Sequence, residues 1–377
     1  MLRCFKVLIL LLISSPLFSQ EVKYDEWKNL TTSGKLPHEC KIQHSNNNLD
    51  IARYKDRYYL AFRTAPTHFA SKKTVLYIVS SADLENWTYE TELSYGCDLR
   101  EPRFVVYHDT LSLIFFTGGT HMFKFEPKLV LLCQSAGNKN WSTPKSVNLD
   151  GYVPWRMRVL NDTLYLSAYY GRGLYKKSHH SDLRLFSSTT GFNWQAVSKE
   201  PQIDVLSAEE GEFIFDSKGD MYSTVRLEGT GALVCKAKKG AMQQWNYKRT
   251  KYKYDSALMF LHKDEVYVVA RKNADGEMDK VKRRKSEKQG KFRNLLRYSF
   301  TKKTTALYKL DKDSLTLSVV ADFPSTGDCS YAGISKIDDN TYLLMNYSSD
   351  IKGRKKNWIS GQLGKTYIYW TRLKLNP

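Results

Sequence analysis

Short runs of alternating apolar and polar residues, separated by turn-forming pairs, recur along almost the whole chain. Six stretches share one plan: a polar residue or two, an apolar strand, a tight turn, and a second strand rich in aromatics. They begin at Leu49 (LDIARYKDRYYLAFR), Leu99 (LREPRFVVYHDTLSLIFFTGG), Pro154 (PWRMRVLNDTLYLSAYYG), Glu209, Tyr254 and Ser330. The turns carry Lys55-Asp56, His108-Asp109, Asn161-Asp162, Lys218-Gly219-Asp220, Lys263-Asp264 and Asp338-Asp339-Asn340, the residue types that short hairpins require. Further strand pairs start at Thr74, Leu129, Leu183, Ala232 and Ala306, and TYIYWTRLKL from Thr366 supplies a last strand. Four strands in roughly 50 residues is the spacing of a propeller blade. The pattern predicts an all-β chain forming a six-bladed β-propeller of four-stranded antiparallel blades. Seven is the alternative count, with residues 20–48 and the C-terminal strand as the extra blade. A stacked β-solenoid would need shorter repeats.

Only the first residues break the pattern. Arg3 and Lys6 precede an apolar stretch from Val7 to Ile13, and Leu17-Phe18-Ser19 offers a cleavage site before Gln20. Residues 1–19 read as a signal peptide and residues 20–377 as one propeller domain, secreted or periplasmic, with no membrane-inserted segment. The formal charge is +19, and losing Arg3 and Lys6 with the leader leaves +17. Such an excess steers a polyanion toward the protein. For an exported protein the expected partner is an anionic poly- or oligosaccharide rather than nucleic acid, met by a monomer. Cys40, Cys97, Cys133, Cys235 and Cys329 follow the leader. Their odd number and lack of CxxC spacing speak for mostly buried free thiols. No cofactor and no metal is expected; His179-His180 reads as a solvated connection. The basic insert at 272–303, with Lys282, Arg283, Arg284 and Lys285, interrupts the fifth blade and is expected to be a mobile surface loop.

Three of the second hairpins end alike: SADLENW from Ser81, SAGNKNW from Ser135 and STTGFNW from Ser188. These resemble degenerate Asp-boxes, the Ser-x-Asp-x-Gly-x-x-Trp turns of the sialidase superfamily. LDIARYKDRYYLAFRTAPTHF and GDCSYAGISKIDDNTYLLMNYSSD are similar to stretches of a large family of exported bacterial proteins labelled sialidase-like, the second with Ala332 in place of a proline. The resemblance implies a sialidase-like propeller with structural turns on the outer part of each blade. It does not extend to catalysis: no Arg-Ile-Pro motif opens the chain, the nearest text being REPR at Arg100, and no Tyr/Glu nucleophile pair can be assigned.

Propeller topology says which polar residues share a rim. The start of each innermost strand and the end of the next lie on one face of the disc, because the two form an antiparallel hairpin. Arginine occupies that rim in five consecutive blades, as Arg63, Arg100, Arg156, Arg226 and Arg271. Its planar fork binds carboxylate or sulfate bidentately. With Asp50, Glu210 and Asp255 these form the expected substrate-binding set, and His68, His121 and Tyr331 the expected catalytic set. Two chemistries suit such a rim. In β-elimination on a uronic acid, by a lyase or dehydratase, arginines neutralise the carboxylate while His or Tyr moves the protons. In sialidase-like exo-hydrolysis, paired carboxylates flank the bond. The basic rim and the missing sialidase pattern place elimination first, hydrolysis second, and a non-catalytic carbohydrate-binding propeller third.

Overall fold

The computed structural model describes residues 22–122, 125–171, 182–205, 207–278 and 287–376. The leader and its cleavage site, Arg172, His179, His180 and Lys282–Lys285 lie outside the described residues. Six antiparallel sheets are arranged as the blades of a propeller. In blade 1 the strands run Ser45–Tyr54, Arg57–Ala65, Val75–Ser81 and Thr88–Leu93, paired in that order from the axis outward. The innermost strands of the next five blades are Leu99–Tyr107, Tyr152–Leu160, Ala208–Phe215, Asp255–His262 and Gly333–Lys336.

The described residues form six blades and no seventh. Val22–Tyr24 and Lys28–Asn29 pair with the C-terminal strand Tyr367–Leu375, so the two chain ends close blade 6 together. Buried Val22, Trp27 and Leu30 anchor this clasp. Closing the ring this way hides edges that would otherwise stay unpaired.

The hairpins form for the reasons their sequences suggest. His108-Asp109, Asn161-Asp162 and Lys263-Asp264 all have positive φ, as type I′ turns demand. The outer turns close on short polar side chains. Ser81 Oγ accepts from the amide of Leu84 at 2.9 Å, and Asp83 Oδ1 from those of Glu85 and Asn86 at 2.9 and 2.7 Å. Ser188 Oγ accepts from Gly191 N at 2.9 Å, and Trp87 and Trp194 are buried beside their turns. The described cysteines are all free; four are buried, and burial pushes the Cys40 and Cys133 thiols up to about 12.

The insert in blade 5 departs from a simple loop. Its described part holds helix α1, Glu287–Phe300, before the third strand resumes at Lys303. Tyr298 is fully buried from this helix, so the insert is fastened to the propeller rather than merely hung from it. A second short helix, α2 (Trp358–Leu363), lies between the last two strands of blade 6 and stacks Trp358 edge-on against Tyr298.

Candidate functional site

Five innermost strands carry a local irregularity at the pocket end of the axis. Register shifts fall between Asn47 and Leu49, Arg100 and Arg103, Pro154 and Arg156, Glu209 and Glu212, and Asp255 and Leu258. At four of these bulges a non-glycine residue takes positive φ: Asn48 (41°), Glu101 (57°), Glu210 (49°) and Ser256 (51°). Blade 6 achieves the same with Tyr331 at 76°, just before its strand. All five line one pocket of about 140 Å³. Left-handed backbone at residues with a Cβ costs about 1–2 kcal/mol each, and bulges re-aim side chains at the rims of such folds. The ring of bulges turns these five side chains out of the blade interfaces and toward the axis.

The pocket joins an acid–phenol pair to an arginine wall. The Tyr331 hydroxyl donates to Glu101 Oε2 at 3.1 Å. Beneath the ring, Arg103 lies 3.9 Å from its centroid, and Trp155 packs edge-on. Burial, reinforced by the charge of Glu210, pushes the Glu101 carboxyl up to about 7. Burial also raises Glu209, although Arg226 pulls the other way. Arg226 is clamped by Glu210 and Glu228, with Glu209 at 3.5 Å and Asp255 at 3.7 Å. Arg271 donates to the carbonyl of Cys329 at 2.7 Å. Arg100 reaches the His68 carbonyl at 2.6 Å and is ion-paired with Asp98. Three arginines therefore face three glutamates, two of which hold their protons more tightly than an ordinary carboxyl. Protonation of Glu101 and Glu209 reduces the negative charge beside these arginines, which favours an anionic ligand.

His68 sits opposite in a defined orientation. Its Nδ1 is 2.6 Å from Asp328 Oδ2, while Tyr347 donates to Asp328 Oδ1 at 3.0 Å. With Nδ1 held by a carboxylate, Nε2 is left for chemistry. Burial lowers the His68 imidazole below its ordinary value, and Asp328 offsets this in part. Asp328 itself is held below the usual carboxylate range: burial opposes that, and His68 and Arg271 overcome it.

The expected rim residues divide into three groups. His68, Tyr331, Arg100, Arg226, Arg271 and Glu210 line the pocket together. Asp255 is 1% exposed and sits behind it, bonded to Tyr298 and near Lys253. The other four lie elsewhere. Arg63 is fully buried between blades 1 and 2, bound to Asp98 at 2.7 Å and to the Phe69 carbonyl at 3.0 Å. Asp50 and Arg156 fall lower in the channel, because their strands begin at Ser45 and Tyr152, four and two residues before the expected starts at Leu49 and Pro154. Asn48 takes the pocket place in blade 1. His121 is exposed on the loop after the second strand of blade 2, and Phe125 of the same loop lines the pocket instead. Trp358 and Gln362 of α2 and Tyr169 complete the wall, none of which the strand pattern singled out. An insertion containing a Trp within the last blade was the available signal for α2. Among the described residues no group of three or more His, Cys, Asp or Glu is arranged to hold a metal.

No protein-family model matches the chain, and no curated protein matches it. Solved structures do. A protein of unknown function from Dyadobacter fermentans DSM 18053 superposes with a TM-score of 0.68 over 94% of this chain and 100% of its own, at 14% identity. The Trypanosoma rangeli sialidase bound to the inhibitor DANA superposes with a TM-score of 0.62 at 12% identity, over 93% of this chain. The fold is sialidase-like. The match covers 59% of the sialidase chain, so this protein spans a little over half its length. At such identities the likeness is one of architecture, and the chemistry must be argued from the pocket.

Proposed function

We propose that this protein is an extracytoplasmic carbohydrate-active enzyme, a glycoside hydrolase that removes a terminal acidic sugar from an anionic oligo- or polysaccharide. The observation that carries this is the Tyr331–Glu101 hydrogen bond inside a small pocket walled by Arg226 and Arg271. A phenol beside a carboxylate base is an activated nucleophile, and tyrosine serves as nucleophile in sialidases. Burial pushes the Tyr331 phenol well above its ordinary value, and the Arg103 guanidinium under the ring pulls the other way. The phenol therefore gives up its proton only in the course of attack, with Glu101 as the base that takes it. The phenol oxygen attacks the anomeric carbon, and the leaving oxygen takes a proton from His68. In the second half, His68 draws a proton from water, whose oxygen displaces Tyr331, and Glu101 returns its proton to the departing phenolate. Burial disfavours protonated His68 in the free enzyme. An acidic sugar seated beside it favours the charged form, so substrate charge readies the acid. A pocket of about 140 Å³ fits one terminal residue rather than a running chain. The same architecture in the T. rangeli sialidase accommodates sialic acid and a covalent intermediate formed with 2,3-difluorosialic acid. The apolar leader after Arg3 and Lys6 supports export.

A second reading is β-elimination on a uronic acid. It is favoured by the lowered His68, which is neutral at pH 7 and competent as a base. Incubation with aryl sialosides, aryl uronides and uronate oligosaccharides separates the two. Hydrolysis releases free sugar without the ultraviolet absorbance of an unsaturated uronate, and a fluorinated acidic sugar leaves its mass on the Tyr331 peptide. Unsaturated products would replace hydrolysis by elimination. Binding without turnover across these substrates would leave a carbohydrate-binding propeller.

A further inference from the structure

The most exposed apolar surface of the described chain lies on its two helices. Among the described residues, the large apolar side chains most open to solvent are Phe292 at 66%, Phe300 at 63% and Leu363 at 58%, followed by Leu296 at 51%. Three of the four stand on α1 and the other on α2. α1 is inside out for a surface helix, which ordinarily turns its apolar stripe to the core. Gly290, Asn294 and Tyr298 are buried against the propeller, where Asn294 Nδ2 donates to the Gly229 carbonyl at 3.0 Å and the Tyr298 hydroxyl donates to Asp255. Phe292, Leu296 and Phe300 each follow one of these by two residues, about 200° further round the helix, and so form one ridge on its outer side.

Basic residues surround this ridge. α1 carries Lys288, Lys291, Arg293 and Arg297 against a single acid, Glu287. The stretch that holds α2, residues 350–365, carries five bases against Asp350. Arg293, Lys302, Arg354 and Lys355 are exposed. The two elements are joined: the Trp358 amide donates to the Thr301 carbonyl at 3.2 Å, and Trp358 meets Tyr298 edge-on. Their surface adjoins the pocket, because Trp358 and Gln362 stand in its wall. Residues 279–286 hold five bases and one large apolar residue, Val281, so that segment has little to bury the ridge with. A second copy packed face to face would set one basic surface against another. We propose that α1 and α2 dock the protein on an anionic lipid surface. Phe292, Leu296 and Phe300 enter the boundary between headgroups and acyl chains, and the flanking lysines and arginines meet lipid phosphates. The mode is adsorption to one leaflet; no helix among the described residues is long and apolar enough to cross a membrane. The inference does not depend on what reaction the pocket performs.

Vesicle co-sedimentation tests it with the chain from Gln20, so that the apolar leader cannot supply the adsorption. Binding to phosphatidylcholine vesicles with about one third phosphatidylglycerol is expected to be at least about tenfold tighter than to phosphatidylcholine alone. Charge by itself draws a basic protein to acidic vesicles, so the deciding variant alters the ridge. Phe292→Gln/Leu296→Gln/Phe300→Gln keeps every charge, and its affinity for the mixed vesicles is expected to fall at least about tenfold with an unchanged unfolding midpoint. Phe292→Gln alone, expected to lose about threefold, serves if the triple variant fails to fold. Val319→Gln, at a half-exposed position on the outermost strand of blade 5, is expected to change nothing. Failure to bind the mixed vesicles, a folded triple variant with wild-type affinity, or an equal loss in Val319→Gln would each overturn the proposal. So would a dimer in sedimentation velocity that the triple variant abolishes, because the ridge would then belong to a second copy.

Discussion

Tyr331 and Glu101 are 230 residues apart in sequence and 3.1 Å apart in space, each on a left-handed backbone residue at the axis. Strain at both ends of one hydrogen bond places a phenol and a carboxyl face to face. Replacing Tyr331 by Phe keeps the ring over Arg103 and removes only the oxygen. We expect kcat to fall by at least about 10³-fold, with a stability loss of about 1 kcal/mol from the missing hydrogen bond. Steady-state kinetics and urea unfolding measure the two. A Tyr331→Phe enzyme retaining a tenth of the activity would remove Tyr331 from the role of nucleophile.

Glu101 carries a pH signature of definite sign. Its carboxyl moves from an ordinary 4.5 to about 7 through burial and the charge of Glu210. A raised acid stabilises the fold fully below its unfolded pKa and loses that contribution as pH rises through the folded value. Stability from this group should therefore decline between about pH 4.5 and pH 7. Glu209 acts in the same direction. His68, lowered by burial, acts oppositely below its ordinary 6.5. Glu101→Gln isolates the first effect: its stability relative to wild type should improve from pH 5 to pH 8 in parallel urea titrations. The same variant should lose about 10²–10⁴-fold in kcat, because an amide cannot take the phenol proton.

Asp328 is the orienting partner of His68 and also receives Tyr347. Asp328→Asn keeps the shape but removes the charge that favours protonated His68 and fixes its tautomer. We expect kcat to drop about 10²-fold or more and the alkaline limb of the pH–rate profile, where His68 loses its acid proton, to move to lower pH. Breaking a buried charged pair also costs about 3–5 kcal/mol. His68→Gln, which leaves Asp328 in place, separates the catalytic part of this loss from the structural part. A shared loss of stability with an unmoved pH profile would argue against the orienting role.

Blade count and turn positions were legible because hairpin chemistry is local. Asn161-Asp162 and Lys263-Asp264 announce their own φ angles, and Ser81 and Ser188 close their turns within three residues. The rim was only partly legible, because the bulges that build it are settled by tertiary packing. Ser256 looks like an ordinary strand residue, and nothing local says that it takes positive φ. Asp50 and Arg156 sit in the channel because their strands begin four and two residues earlier than the alternating pattern indicates. Arg63 shows the other limit: its strand-end position suggests an anion binder, but its guanidinium is absorbed by Asp98 and the carbonyls of the His68 loop.

The clasp between the chain ends should govern stability without touching chemistry. Deleting residues 20–31 removes both short strands paired to Tyr367–Leu375 and the buried Val22, Trp27 and Leu30. It exposes an edge and the apolar face beneath. The truncated chain should unfold at markedly lower urea and associate at concentrations where the intact chain does not. Light scattering and equilibrium unfolding check both outcomes.

The wall formed by α2 depends on one glycine. Gly361 packs so tightly on the turn before blade 6 that a Cβ there would stand 1.9 Å from the Asp328 nitrogen and 2.5 Å from the Gly327 carbonyl carbon. Backbone cannot yield as a flexible side chain does, so Gly361→Ala must push α2 outward. That displaces Trp358 and Gln362 from the pocket and disturbs Asp328 beneath His68. Overpacking of this kind costs about 1–3 kcal/mol, and we expect KM to rise at least about tenfold as the wall retreats. Ser360→Ala, one residue away and exposed, should change neither. If Gly361→Ala matches wild type in both KM and unfolding midpoint, α2 does not form part of the substrate wall.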